Sequence, residues 1–254
     1  MKTRLLILAG LIGVCCLISC EKAEDTLPKL EIVDDVCTKM DDINFMESCY
    51  YCFDKNKDGK VSMEEARAVK MIDFGNSSIV SYTGIEYFSN LEFLLIDQTM
   101  SHPAAVKTLD LSYNKHLRYI LIQYANRISS LDLRPNTELK YAVRIQNCTE
   151  LVSVYLPKSI ETIPTLAFEG CDKLSVVDMS QCVNLKEIEG AFNGYTFPSN
   201  IDVFLMGATV PPKTSDRSFE YNSIKTLKVP AESVEAYKKS SWKHYALEIK
   251  PIDK

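Results

Sequence analysis

Leu151-Val-Ser-Val-Tyr-Leu-Pro-Lys-Ser-Ile160-Glu-Thr-Ile-Pro-Thr-Leu-Ala-Phe168-Glu-Gly-Cys-Asp-Lys-Leu174 is the stretch whose reading decides the fold. Its apolar residues fall at Leu151, Val154 and Leu156, then at Ile160 and Ile163, then at Phe168, and Leu174 opens the next round. An L-x-x-L-x-L core places two alternate side chains on one face of a short strand and a third one turn earlier. The period of 23 residues is too long for a heptad and right for one coil of a solenoid. A single coil cannot bury its own apolar face, so several must stack.

The core recurs as Val106/Leu109/Leu111, Ile128/Leu131/Leu133, Leu151/Val154/Leu156 and Leu174/Val177/Met179, in steps of 22, 23 and 23 residues. A half-step echo lies between them at Leu117/Ile120/Ile122 and Leu185/Ile188. Val69/Ile72/Phe74 and Leu91/Leu94/Ile96 carry the pattern upstream, and Ile224/Leu227/Val229 carries it downstream. A second register supports the first: Asn114, Asn136, Cys148, Cys171 and Cys182 each stand three residues before a leading Leu. Spacing loosens from Phe197 to Phe219 around Pro198, Pro211 and Pro212, which predicts a long loop or an irregular coil there.

The pattern from Leu151 to Leu174 resembles the repeat of the BspA-like leucine-rich-repeat surface proteins of Bacteroidetes and treponemes. Leu109-Asp110-Leu111-Ser112-x-Asn114 resembles ordinary bacterial leucine-rich repeats, in which the Asn or Cys place bonds the backbone of neighbouring coils. Gly84 to Leu94 and Leu227 to Lys243 resemble the leading and closing segments of the family. The resemblance covers roughly residues 69–254 and implies an α/β solenoid with one parallel sheet.

Residues 1–19 are of another kind. Lys2 and Arg4 precede an apolar run from Leu5 to Leu17, too short to span a bilayer but fitting a signal-peptide core. It ends in Leu17-Ile18-Ser19-Cys20, which resembles a bacterial lipobox. That implies cleavage before Cys20, acylation there, and an outer-membrane lipid anchor that does not cross the membrane; the alternative is a plain secretory signal. Glu21 to Asp25 resembles the export tag of surface lipoproteins or is a solvated linker, and Asp25-Thr26-Leu27 resembles an O-glycosylation signal. The net charge is −5, which disfavours nucleic acid and anionic lipid as ligands.

Of the nine cysteines, Cys15 and Cys16 belong to the signal and Cys20 to the anchor. Cys148, Cys171 and Cys182 hold the repeat place, where a small buried thiol needs no partner. Cys37, Cys49 and Cys52 precede the solenoid. Cys49 and Cys52 are poorly placed to bridge each other on a helix, so no obligatory disulfide is expected, and pairing of Cys37 with either stays open. Three scattered histidines (His102, His116, His244) give no support to a zinc cluster.

Asp54-Lys-Asn56-Lys-Asp58-Gly59-Lys60-Val-Ser62-Met-Glu-Glu65 fits the D-x-[DN]-x-[DN]-G-x5-E calcium loop at every constrained position. Asp54, Asn56 and Asp58 offer oxygens at every second residue, and Gly59 takes the backbone angle that the turn requires. The Lys60 carbonyl, Ser62 through water, and a bidentate Glu65 complete the set. Phe45, Cys49 and Phe53 form a helical stripe leading in, and Ser62 caps the helix leading out. No second such loop occurs, so the expected affinity is weak and the role structural; the alternative is a metal-free helical cap.

Strand alternation puts Asp110, Asp132, Tyr155 and Asp178, with Arg134 beside them, on one outward face. The face is a candidate surface for a protein or glycan ligand, or simply a solvated one. No G-x-S-x-G, no H-E-x-x-H and no glycine-rich phosphate loop occurs, so no catalytic role is expected. The organisation expected is a signal peptide (1–19), an acidic linker (20–36), a helical EF-hand-like cap (37–68), a solenoid (69–229) and a C-terminal cap (230–254). The functional expectation is a monomeric, lipid-anchored surface protein that works by binding, as an adhesin or interaction module. The competing readings are a structural envelope lipoprotein and an accessory of a glycan-uptake system.

Overall fold

Each coil turns apolar side chains inward from two sides, and this builds the core. Leu109 and Leu111 face Ile120 and Ile122 across one coil; Leu131 and Leu133 face Val143 and Ile145 across the next, and all eight are buried. The computed structural model describes residues 27–75, 78–100, 105–192, 200–215, 217–219 and 223–253. The signal peptide, Cys20 and the acidic run after it lie outside the described residues.

The main core and its half-step echo are both strand-forming, so the described strands make three parallel sheets where one was expected. The first sheet has the order β1 (Met71–Asp73), β2 (Phe93–Asp97), β3 (Tyr119–Gln123), β5 (Val143–Gln146). The second, on the L-x-x-L-x-L side, contains β4 (Ser130–Asp132), β6 (Ser153–Tyr155), β8 (Val176–Met179), β10 (Asn200–Met206), β12 (Ser223–Val229) and β13 (Ala246–Pro251) in sequence order. Short strands β7 (Thr162–Ile163), β9 (Glu187–Ile188) and β11 (Lys213–Thr214) form the third. The solenoid itself stands as read: parallel coils with little helix.

The stretch expected to be a loop from Phe197 to Phe219 contains β10, which pairs with β8 on one side and β12 on the other. Ile201, Phe204 and Met206 are buried while Asp202 and Val203 are both partly exposed. That extra residue breaks the period-2 pattern on which the sequence reading relied. Gly207 follows, where a Cβ would lie 2.1 Å from the Ser180 carbonyl oxygen, so a side chain has no room against the preceding coil.

The register of small polar residues becomes two ladders. Asn114 Nδ2 donates to the Ile85 and Phe88 carbonyls, each at 3.0 Å. Asn136 Nδ2 repeats the arrangement one coil on, to the Leu111 and Asn114 carbonyls at 2.9 Å each. Cys182 Sγ meets the Pro157 carbonyl at 3.2 Å. Cys148 and Cys171 lie on the other side of the coil, with Cys171 Sγ 3.2 Å from the Ile145 carbonyl. Each donor satisfies turn carbonyls that stacking has cut off from water.

Two aromatic groups close the ends. Helix α1 (Ile43–Phe53) lays Phe45 on Tyr82, ring centroids 5.1 Å apart, and Phe53 on Phe88 at 5.5 Å. At the far end Phe168, Phe192 and Phe219 stack at 5.0 and 5.1 Å, and Trp242 crosses Phe219 at 5.5 Å. Trp242 is fully buried and its Nε1 donates to the Pro212 carbonyl at 2.9 Å. Helix α3 (Val234–Lys239) and β13 share residues 230–254, so this segment is both closing helix and last coil. Among the described residues no helix is long and apolar enough to cross a membrane.

Candidate binding face and calcium loop

The second sheet presents an outward row whose members sit directly opposite one another from strand to strand: Asp132, Tyr155, Asp178, Leu205, Lys228 and Lys250. Sequence alternation found its first three members. The others were hidden by the irregularity before β10 and by reading residues after 229 as a cap. The row runs from acidic through apolar to basic, which a partner of mixed charge can match end to end.

Its acidic members are less free than their formal charges suggest. Asp132 Oδ1 accepts from the Arg134 backbone N–H at 3.0 Å, and Asp178 Oδ1 accepts from Ser180 N–H at 2.8 Å. Each Asp thereby makes a turn that ends its strand, a local bond for which Asp is well suited. The Arg134 guanidinium also grips the Asp132 carboxylate, with Nε 2.9 and 3.1 Å from its two oxygens. Partial burial opposes ionisation of Asp132, and the Arg134 bonds more than offset it, holding the carboxyl below its usual range. The same guanidinium lies 4.8 Å over the Tyr155 ring, a cation–π arrangement. Asp132, Arg134 and Tyr155 are one unit, and Asp178 adjoins it. Asp110 stands apart: it lies outside the described strands and accepts from Ser112 N–H at 2.9 Å. The acidic row expected from the sequence is therefore shorter and partly neutralised.

The candidate calcium loop joins α1 to α2 (Met63–Ala68). Asp54 Oδ2 accepts from Gly59 N–H at 3.0 Å, Asn56 Oδ1 from Asp58 N–H at 2.9 Å, and Asp58 Oδ1 from Lys60 N–H at 2.9 Å. Gly59 adopts φ +83° and Lys57 φ +59°, the left-handed angles that coil the loop. Glu65 is pulled inward: Oε1 accepts from Lys55 N–H at 2.8 Å and Oε2 from Ser62 N–H at 2.9 Å. Ser62 returns a bond from Glu65 N–H to its Oγ at 3.2 Å, completing a capping box. These bonds, those of Ser62 foremost, push the Glu65 carboxyl down to about 2.

The residues present fit calcium on one observation: Asp54 Oδ1 is buried without a hydrogen-bond partner, an oxygen that a cation would satisfy. Against it, Asp54, Asp58 and Glu65 are not drawn into a cluster of three metal-ligating side chains, and no such cluster occurs among the described residues. The reason is Glu65, whose two oxygens are engaged by amide donors. Where a paired loop would add a short strand, residues 35–36 take its place. Val36 N–H donates to the Val61 carbonyl at 2.9 Å, and Val61 N–H to Asp35 Oδ1 at 3.1 Å. Sequence reading had left these residues in a linker.

None of the curated proteins matches this chain. Two solved structures from Listeria monocytogenes are similar. The internalin inlF, at 15% identity and a TM-score of 0.33, is matched over 85% of this chain and 77% of its own. The functional domain of InlJ, which includes a cysteine ladder, has 11% identity and a TM-score of 0.30 over 86% and 70% of the two chains. Residues 145–248, the later coils described above, match the family of the BspA type leucine rich repeat region in 6 copies.

Proposed function

We propose that this chain is an exported, lipid-anchored leucine-rich-repeat protein that works at the cell surface by binding a protein partner. The observation that carries the reading is the outward row from Asp132 to Lys250, a graded, side-chain-rich surface on a rigid parallel sheet. Rigid sheet positions give such a surface little ordering entropy to lose on binding. The unit of Tyr155 under Arg134 supplies an aromatic and a guanidinium, the residue types that dominate binding energy at interfaces. The partner's basic groups meet Asp178 and Asp132, and its acidic groups meet Lys228 and Lys250. Anchoring is through Cys20, and Asp54, Asn56, Asp58, Lys60, Ser62 and Glu65 hold a structural calcium ion.

The test is a panel of extracellular-matrix proteins and surface glycans applied to the immobilised chain at two salt concentrations. A protein ligand whose affinity falls with salt and with both Tyr155→Ala and Lys228→Ala supports the reading. Binding only to glycans, or binding untouched by both substitutions, overturns it. Cys20→Ala is expected to release the protein from membranes, and a mature N-terminus without acyl chains would remove the anchor.

A further inference from the structure

The outward side of the first sheet carries neither of the proposed sites and is unusually apolar. Its strands pair in register, so its outward side chains form rows across the sheet. One row reads Met71–Phe93–Tyr119, and the next reads Asp73–Leu95–Leu121–Arg144. Met71 and Phe93 are 55% and 39% exposed, and Leu95, Tyr119 and Leu121 are partly exposed. The Phe93 and Tyr119 rings lie 6.4 Å apart. Inward-facing neighbours on the same strands, Ile72, Leu94, Ile96, Ile120 and Ile122, already form the core. The outer apolar residues are therefore not required to bury the sheet. Neither Asp73 nor Arg144 has an ionic partner among the described residues; Asp73 accepts only from Gly75 N–H at 3.0 Å, and Arg144 reaches the Thr165 carbonyl at 3.5 Å.

We propose that this face binds a second copy of the same chain. The argument is the symmetry of the rows. A two-fold axis lying parallel to the strands, between β2 and β3, reverses the strand order of one copy over the other. That operation sets Asp73 over Arg144 of the second copy and Leu95 over its Leu121. In the next row it sets Phe93 over Tyr119 of the second copy. Ahead of the strands it brings Glu92 over Arg118 of the second copy, where each chain already pairs Glu92 with Arg118 at 3.2 Å. Every pair occurs twice, as a closed two-fold interface requires. Opposite charges stand at the two ends of one row, about 14 Å apart at three strand spacings, with leucines between them. A face with both carboxylates at one end and both leucines at the other would not complement itself this way.

The patch is only four strands wide, well below a standard stable interface, so the association is reversible and concentration-dependent, with a dissociation constant on the order of 10–100 µM. The surface is separate from the row proposed for the protein ligand, so failure of one leaves the other standing. The monomer expected from the sequence followed from a reading in which this sheet had no outward face.

Sedimentation equilibrium of the full chain over about 1–500 µM tests the proposal. A monomer–dimer equilibrium is expected for the native chain. Leu121→Asp is expected to weaken it at least about tenfold, since the substitution acts twice in the symmetric pair. Asp73→Arg and Arg144→Asp alone are each expected to weaken it, and the two together in one chain to restore it. These positions are outward-facing, and an unchanged circular dichroism melt will show that folding is intact. A native chain that stays monomeric to the highest concentration overturns the proposal. So does association that all variants share equally, or a double charge exchange that fails to restore dimers.

Discussion

Glu65 shows how one residue serves two roles that compete. As the third residue of α2 it closes a capping box with Ser62, and as the last residue of the loop it is the proposed bidentate ligand. Calcium must draw it away from amide donors already in place, which predicts weak binding. With a dissociation constant of about 0.1 mM, 2 mM calcium would add about 1.8 kcal/mol of stability. Glu65→Ala should abolish that increment and also lower the metal-free stability by about 1 kcal/mol through loss of the cap. If melting curves with calcium and with chelator superimpose, the loop holds no ion. The pH dependence has a definite sign. Glu65 is depressed from 4.5 to about 2, so its contribution is present above 4.5 and is lost as pH falls towards 2. Acid titration of the native chain and of Glu65→Gln should differ only below about pH 4.5. For Asp132 the bonds to Arg134 make a different prediction from the simple repulsion of neighbouring carboxylates. Asp132→Asn should lower stability by a few tenths of a kcal/mol, the scale of a part-exposed ion pair. A rise in the melting temperature would mean that repulsion dominates.

The elements of this protein are too short to hold themselves together. Strands of two to five residues predominate, and each is stabilised by its neighbours and by the ladders between turns. Removing one rung should therefore exceed its local cost. Asn136→Ala leaves the Leu111 and Asn114 carbonyls without a donor in a buried site, at about 2–4 kcal/mol. Asn136→Cys should recover part of that loss, because Cys182 meets the carbonyls of Leu156 and Pro157 at the corresponding place. Chemical denaturation of the three proteins checks the order native, Cys, Ala. Equal stability of the Cys and Ala variants would show that the thiols are only small fillers.

Over the whole molecule the two aromatic ends bound a one-dimensional core. Trp242→Ala should cost about 3–5 kcal/mol, and in a solenoid the loss should appear first in the coils it covers. Hydrogen exchange should show β12 and β13 losing protection while β2 and β3 keep theirs. Uniform loss along the chain would mean that the coils unfold as a single unit.

The sequence alone determined the coil, its period and the residues of both ladders. Each of these is a local pattern, repeated until chance could not account for it. The calcium-loop residues and the cap at Ser62 were legible for the same reason, since their geometry is written within twelve residues. What tertiary structure decided is everything that depends on which coil lies beside which. The half-step echo reads as one register of apolar residues, yet only stacking splits it into opposed sheets and gives the first sheet an outward side. Asp73 and Arg144 are 71 positions apart in the chain and share a row only because each intervening coil advances by one strand spacing. Lys228 and Lys250 joined the row of Asp132 in the same way, past a bulge that no periodicity could cross. Register between coils is fixed by the sum of many buried contacts, and no single stretch of residues contains that sum.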